Sequence, residues 1–236
     1  MNLTHAPFPI EAHHITLFPE PVIIIGGIIF TLIAVLLCFA IYFKTKESYE
    51  LTKYSGIKYF RYAFLFFGLS YILSFLSGLA MFSREIFGFR LSREIFGPIF
   101  ILPLGYFSTM AILYLIYSSI WKKFDNKKTM IISHIVAIIL TTVAFITRSP
   151  LILLYLQSIL FIMAIISVQF VNKTKHKISQ IKILYFIVLG LWLINLLILG
   201  RGHPVNPIIE IISQVTSLIA YIFIYYKISK LTNYNS

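Results

Sequence analysis

Seven apolar runs, each of roughly 20 residues, alternate along the chain with short polar connections. A bilayer core about 30 Å thick is crossed by roughly 20 residues of α-helix. The pattern therefore predicts seven transmembrane helices, at about Val22–Phe43, Tyr62–Phe82, Ile99–Ile120, Met130–Thr147, Leu151–Val171, Ile183–Gly200 and Ile208–Lys227. Pro21, Pro98, Pro150 and Pro207 stand at the start of four of them. A missing N–H is harmless there, because first-turn donors have no partner within the helix. Pro103 lies deeper in the third run and predicts a bend. The expected fold is all-α: a polytopic seven-transmembrane-helix bundle, one domain over residues 1–236, with residues 1–21 as an external N-terminal segment.

Composition strengthens this reading. The chain is 59% hydrophobic and 12% charged, with a mean hydropathy of +0.89, whereas about 25% charged is usual for soluble domains. Lipid must be the solvent for most of it. The single cysteine, Cys38, rules out an internal disulfide. The first run has no basic segment before it and is followed by lysines, so it is expected to be a retained helix rather than a cleaved signal.

The net charge of +12 raises nucleic acid as a partner, but the distribution argues for lipid headgroups instead. Lys44, Lys46, Lys53, Lys58 and Arg61 lie between the first two runs, and Lys122, Lys123, Lys127 and Lys128 between the third and fourth. Lys173, Lys175, Lys177 and Lys182 lie between the fifth and sixth, with Lys227 and Lys230 at the end of the last. These make fifteen basic residues on one side, against Arg84, Arg90, Arg93, Arg148 and Arg201 on the other. By the positive-inside rule the N-terminus is expected outside and the C-terminus in the cytoplasm of a multi-pass cell-membrane protein. The excess charge then faces anionic headgroups, and no nucleic-acid partner is expected.

Motifs remove several function classes. The last run has lysines only at its cytoplasmic end and the third has no aspartate, which excludes retinal Schiff-base chemistry. Only His134 lies within a run, which does not make a two-histidine haem site. No HExxH, CxxC, Gly-rich phosphate loop or Ser-His-Asp set occurs in the runs. No catalytic residue, metal site or cofactor is assigned, and no enzyme activity is expected. Outside the runs, Glu11, His13 and His14 carry metal-ligand chemistry, but adjacent histidines on a regular strand point opposite ways. Asp125 reads as a solvated turn residue.

Polar residues inside the runs carry the candidate chemistry. Glu210 is the one carboxylate there; Gln214, Ser217 and Tyr221 follow it at steps of four, three and four, on one helix face. Ser74 and Ser77, Tyr106 and Thr109, Thr141 and Thr142, Gln157 and Ser158, and Trp192 and Asn195 add groups from five other runs. Counted from the outer ends, most lie roughly 7–15 Å deep. One reading is a polar chamber open to the outside, with Glu210, Gln214, Asn195, Trp192, Gln157, Thr109 and Ser77 as ligand-binding residues. The other is interhelical glue, worth about 0.6 kcal/mol per contact in membrane bundles. An intramembrane carboxylate is a functional candidate in its own right. Around the mouth, Arg84, Arg93, Arg148, Arg201 and His203 form the expected outer rim.

Function is expected to be that of a sensor or receptor: a small-molecule or lipid ligand enters from the outer side, and a separate membrane or cytoplasmic protein carries the signal. One alternative is a membrane subunit or scaffold of a larger complex, and a second is a small-solute or proton-coupled transporter using Glu210. The hexapeptide SREIFG occurs twice between the second and third runs, at Ser83–Gly88 and Ser92–Gly97. The expectation is that Ser83 closes the second helix, Ser92 caps the next segment, and both glycines interrupt helix.

Overall fold

In a computed structural model that describes residues 20–88, 92–124, 127–147, 150–171, 187–188, 190 and 207–233, all regular structure is helical. The elements are α1 (Glu20–Thr52), α2 (Ser55–Phe87), α3 (Arg93–Phe96), a π-helical turn (Gly97–Ile101), α4 (Leu102–Phe124), α5 (Lys127–Ile146), α6 (Pro150–Val171) and α7 (Pro207–Asn233). Five described segments are long and apolar enough to cross a membrane: Ile24–Thr52, Ser55–Ala80, Gly97–Trp121, Lys128–Ile146 and Ile208–Lys230. α6 carries a shorter apolar stretch, Tyr155–Ser167. The chain is a multi-pass membrane protein. Residues 1–19 and most of the predicted sixth span, 183–200, lie outside the described residues.

The surface shows why lipid is the solvent. Ile131, Ile132, Ile135, Ile138 and Ile139 of α5 are all exposed, as are Ile208, Ile211, Ile212, Val215, Ile219 and Ile222 of α7. Apolar faces this continuous do not persist on soluble monomers. The interior is built around α2 and α4, which pack on each other. Met110 to Ile116 of α4 are buried without a break, as expected of a helix surrounded by others. α5 and α6 lie against α4, and α7 lies against α1, which covers α2.

Three features depart from the sequence reading. First, α1 and α2 are 33 residues each, about 50 Å long, well beyond the runs Val22–Phe43 and Tyr62–Phe82. The residues between those runs are helical almost throughout. Lys44–Glu47 and Lys46–Glu50 ion pairs at 2.6 and 3.7 Å brace the end of α1. Hydropathy marks where lipid contact ends, whereas helix continues while its side chains pair. The hairpin turns at Lys53 and Tyr54, with Lys53 at φ +52°.

Second, the two SREIFG copies have different structures. Ser83 is inside α2, which runs on to Phe87 and ends at Gly88 with φ +67°, a left-handed conformation that glycine adopts without strain. The second copy starts a helix: the Ser92 carbonyl accepts the N–H groups of Ile95 and Phe96, as expected of a cap position. Gly97 does not interrupt that helix. It is buried, and a Cβ there would sit 2.7 Å from Cε2 of Phe145. Its role is close packing.

Third, a π-helical turn at Gly97–Ile101 lies just before Pro103, where the sequence predicted a bend. Pro103 cannot donate to the Ile99 carbonyl and its ring crowds it. The backbone accommodates this with a wider turn, in which the Leu102 N–H bonds Gly97 O.

Candidate functional site

α7 places its polar face as its spacing demands. Ser213, Ser217, Tyr221, Ile224 and Ile228 form the buried stripe, while Glu210 and Gln214 are half-buried toward its N-terminal end. Gln214 Nε2 donates to Glu210 Oε1 at 3.1 Å, and Ser213 Oγ donates to the Glu210 carbonyl at 2.6 Å. Ser217 is fully buried and its Oγ has no hydrogen-bond partner among the described residues. Deeper still, Tyr221 Oη donates to Tyr71 Oη of α2 at 3.2 Å, and the Tyr221 ring meets Phe64 and Tyr71 edge-on.

A second polar group joins α6 to α4. Gln157 is buried, and its Nε2 donates to Ser108 Oγ at 2.7 Å and to Thr109 Oγ1 at 3.3 Å. Ser108 Oγ in turn donates to the Gly105 carbonyl. Nearby on α5, Thr141 is buried and bonded to its own helix at Ala137 O, while Thr142 is exposed, away from any interior chamber.

A third group joins α5 to α4 through a pairing that the sequence did not name. Tyr106 of α4 and His134 of α5 are joined, Oη to Nδ1, at 2.7 Å, with their rings stacked. Tyr114 meets His134 edge-on, and Tyr117 Oη lies 2.6 Å from Ser133 Oγ. Tyr59 of α2 stacks on Tyr114, and Tyr62 meets it at a tilt. The sequence grouped Tyr106 with the polar residues of the third run and left His134 as the lone histidine of the fourth. The usable signal was that His134 is the one histidine within a predicted span, a residue that requires a partner in lipid.

Of the predicted ligand-binding residues, the structure pairs Gln157 with Thr109 and Glu210 with Gln214, and no hydrogen bond joins the two pairs among the described residues. The helices that carry them pack on different neighbours, α7 on α1 and α6 on α4 and α5. Ser77 is half-buried on α2. Trp192 and Asn195 lie outside the described residues. Of the rim, Arg84 is in the last turn of α2 and Arg93 begins α3, while Arg148, Arg201 and His203 lie outside the described residues.

No protein-family model and no solved structure matches the chain. Over 185 residues it is 29% identical to an uncharacterized protein of Archaeoglobus fulgidus, an alignment covering 75% of this chain and 81% of that relative. The similarity extends over most of both chains and carries no activity with it.

Proposed function

We propose that this is a cell-membrane sensor or receptor of seven spans, with its N-terminus outside and its C-terminus in the cytoplasm. In this reading it binds a small polar or lipid ligand from the outer side beside α7 and acts through a separate partner protein. The observation that carries the reading is Glu210, a carboxylate within the span Ile208–Lys230 whose described side-chain partner is an amide on its own helix. An ionised carboxylate accepts about four hydrogen bonds, so capacity remains for a ligand's ammonium, hydroxyl or amide. Ser217, two turns further in, offers a buried hydroxyl without a partner among the described residues. The fifteen-to-five division of basic residues supports the orientation.

The test is native mass spectrometry of the purified full chain, with extraction of bound small molecules. A non-protein mass retained by the wild type, lost in Glu210→Gln and kept in Lys230→Gln is expected. A wild type that carries nothing from several membrane preparations would sink the reading. Labelling of cysteines introduced at the two termini in intact cells tests the orientation.

A second reading, a membrane subunit or scaffold, is favoured by the Gln157–Ser108–Thr109 group. Its donors and acceptors are spent on one another, as interhelical glue requires. Cross-linking in native membranes distinguishes it: a stoichiometric second polypeptide, with no small molecule beside Glu210, replaces the first reading with the second.

A further inference from the structure

The turn between α1 and α2 carries cations that its carboxylates do not neutralise. Glu47 and Glu50 are engaged by Lys44 and Lys46. Three further cations rest on aromatic rings: Lys53 Nζ is 5.9 Å from the Tyr49 centroid, and Lys58 Nζ is 6.0 Å from that of Tyr59. Arg61 Cζ is 4.6 Å from the Tyr42 centroid and 5.6 Å from that of Tyr62. Such contacts hold a cation in place and leave its charge uncancelled.

Arg61 is held most firmly. Nη2 donates to Tyr42 Oη at 3.0 Å, and the guanidinium lies over the same ring. Nε is buried with no partner among the described residues. A guanidinium has five N–H donors, and here one is satisfied among the described residues. The fork of Nη1 and Nη2 suits bidentate binding of a phosphate. Position makes the phosphate a lipid's. The first apolar run ends at Phe43, next to Lys44, so the contact with Tyr42 sets Arg61 where hydrocarbon gives way to headgroups. Lys58 is one turn earlier on the same face of α2. Tyr54 and Trp121, packed edge-on at 5.0 Å, add the aromatic belt found at this depth.

We propose that Arg61, seconded by Lys58, binds the phosphate of an anionic phospholipid where α1 and α2 leave the membrane. The assignment rests on the α1–α2 turn alone and is independent of any ligand beside Glu210. The preformed stack on Tyr42 fixes the guanidinium in advance, so the lipid need not order it.

The test uses the full chain in mixed micelles containing equal phosphatidylglycerol and phosphatidylcholine, with retained lipids counted by native mass spectrometry. One basic group at the surface favours an anionic lipid about fivefold, and a preference of at least that size is expected for the wild type. Arg61→Gln brings it to near parity, Arg61→Lys retains part of it, and Lys230→Gln leaves it unchanged. Equal retention of the two lipids by the wild type, or an unchanged ratio in Arg61→Gln, overturns the proposal. Should Arg61→Gln fail to fold, Tyr42→Phe is read instead; it keeps the ring but removes the anchor of Nη2, and an undiminished ratio there is equally fatal. Millimolar inorganic phosphate is expected not to displace the lipid. Displacement identifies a site for free phosphate and overturns the lipid assignment.

Discussion

Nδ1 of His134 and Oη of Tyr106 lie 2.7 Å apart, a hydrogen bond that ties α5 to α4 within the apolar part of the bundle. Removing one partner strands the other, which costs about 1–3 kcal/mol, whereas replacing both with apolar rings comes close to neutral. Tyr106→Phe and His134→Phe are each expected to lower Tm, and the double variant to recover part of the loss. Thermal unfolding of all four proteins in one detergent checks this. Additive losses would show that the two groups act independently.

Gly56 closes the contact between α2 and α4. A Cβ there would collide with the Tyr54 ring, 3.0 Å from the Ser118 carbonyl oxygen and 3.1 Å from Cδ1 of Trp121. The carbonyl belongs to a helix backbone and cannot turn aside. Gly56→Ala is expected to cost about 1–3 kcal/mol, as overpacking does. Trp121 is one of two tryptophans, and a red shift in emission should accompany the loss. Unchanged Tm and emission would mean that the helices are less closely packed here.

Lys53 adopts φ +52° at the end of α1. A side chain in the left-handed region costs about 1–2 kcal/mol, which glycine avoids at the expense of a more flexible unfolded chain. Lys53→Gly is expected to stabilise by about 0.5–1 kcal/mol in neutral detergent, and Lys53→Val to destabilise. Thermal unfolding separates the two by sign.

Gln157 tests glue against ligand recognition. As glue, Gln157→Leu costs about 0.6 kcal/mol, since Ser108 already donates to its own helix at Gly105 O. A small drop in Tm with ligand retention unchanged is expected. Complete loss of a bound molecule would instead make Gln157 part of the binding site.

Ser217→Ala removes a buried hydroxyl that has no described partner. In ligand-free protein the change is expected to be neutral or slightly stabilising, because an unsatisfied polar group carries a burial cost. In protein retaining a molecule beside Glu210, it should weaken that retention. A clear loss of Tm in the ligand-free protein contradicts the first expectation.

Local rules made much of this legible in sequence. The starts of α6 at Pro150 and α7 at Pro207 follow directly from proline at the first helical position. The spacing of Gln214, Ser217 and Tyr221 predicted a common face, and Ser217 and Tyr221 are buried on it. The lengths of α1 and α2 were less legible, because the apolar run ends before the helix does. The partners of Gln157 and His134 were not legible at all. Sorting by depth compares residues along the membrane normal, whereas hydrogen bonds join helices that are neighbours within its plane.

The sequence by itself determined that the chain is helical and resides in a membrane. Backbone groups in lipid must be satisfied within each crossing segment, so a long apolar run leaves little choice. Only the tertiary structure decided that α4 lies at the centre, that Gln157 spends its amide on Ser108 and Thr109, and that Arg61 rests on Tyr42 with donors to spare. Those outcomes depend on which helix faces meet, and close packing of large and small side chains across helices sets that, residue by residue.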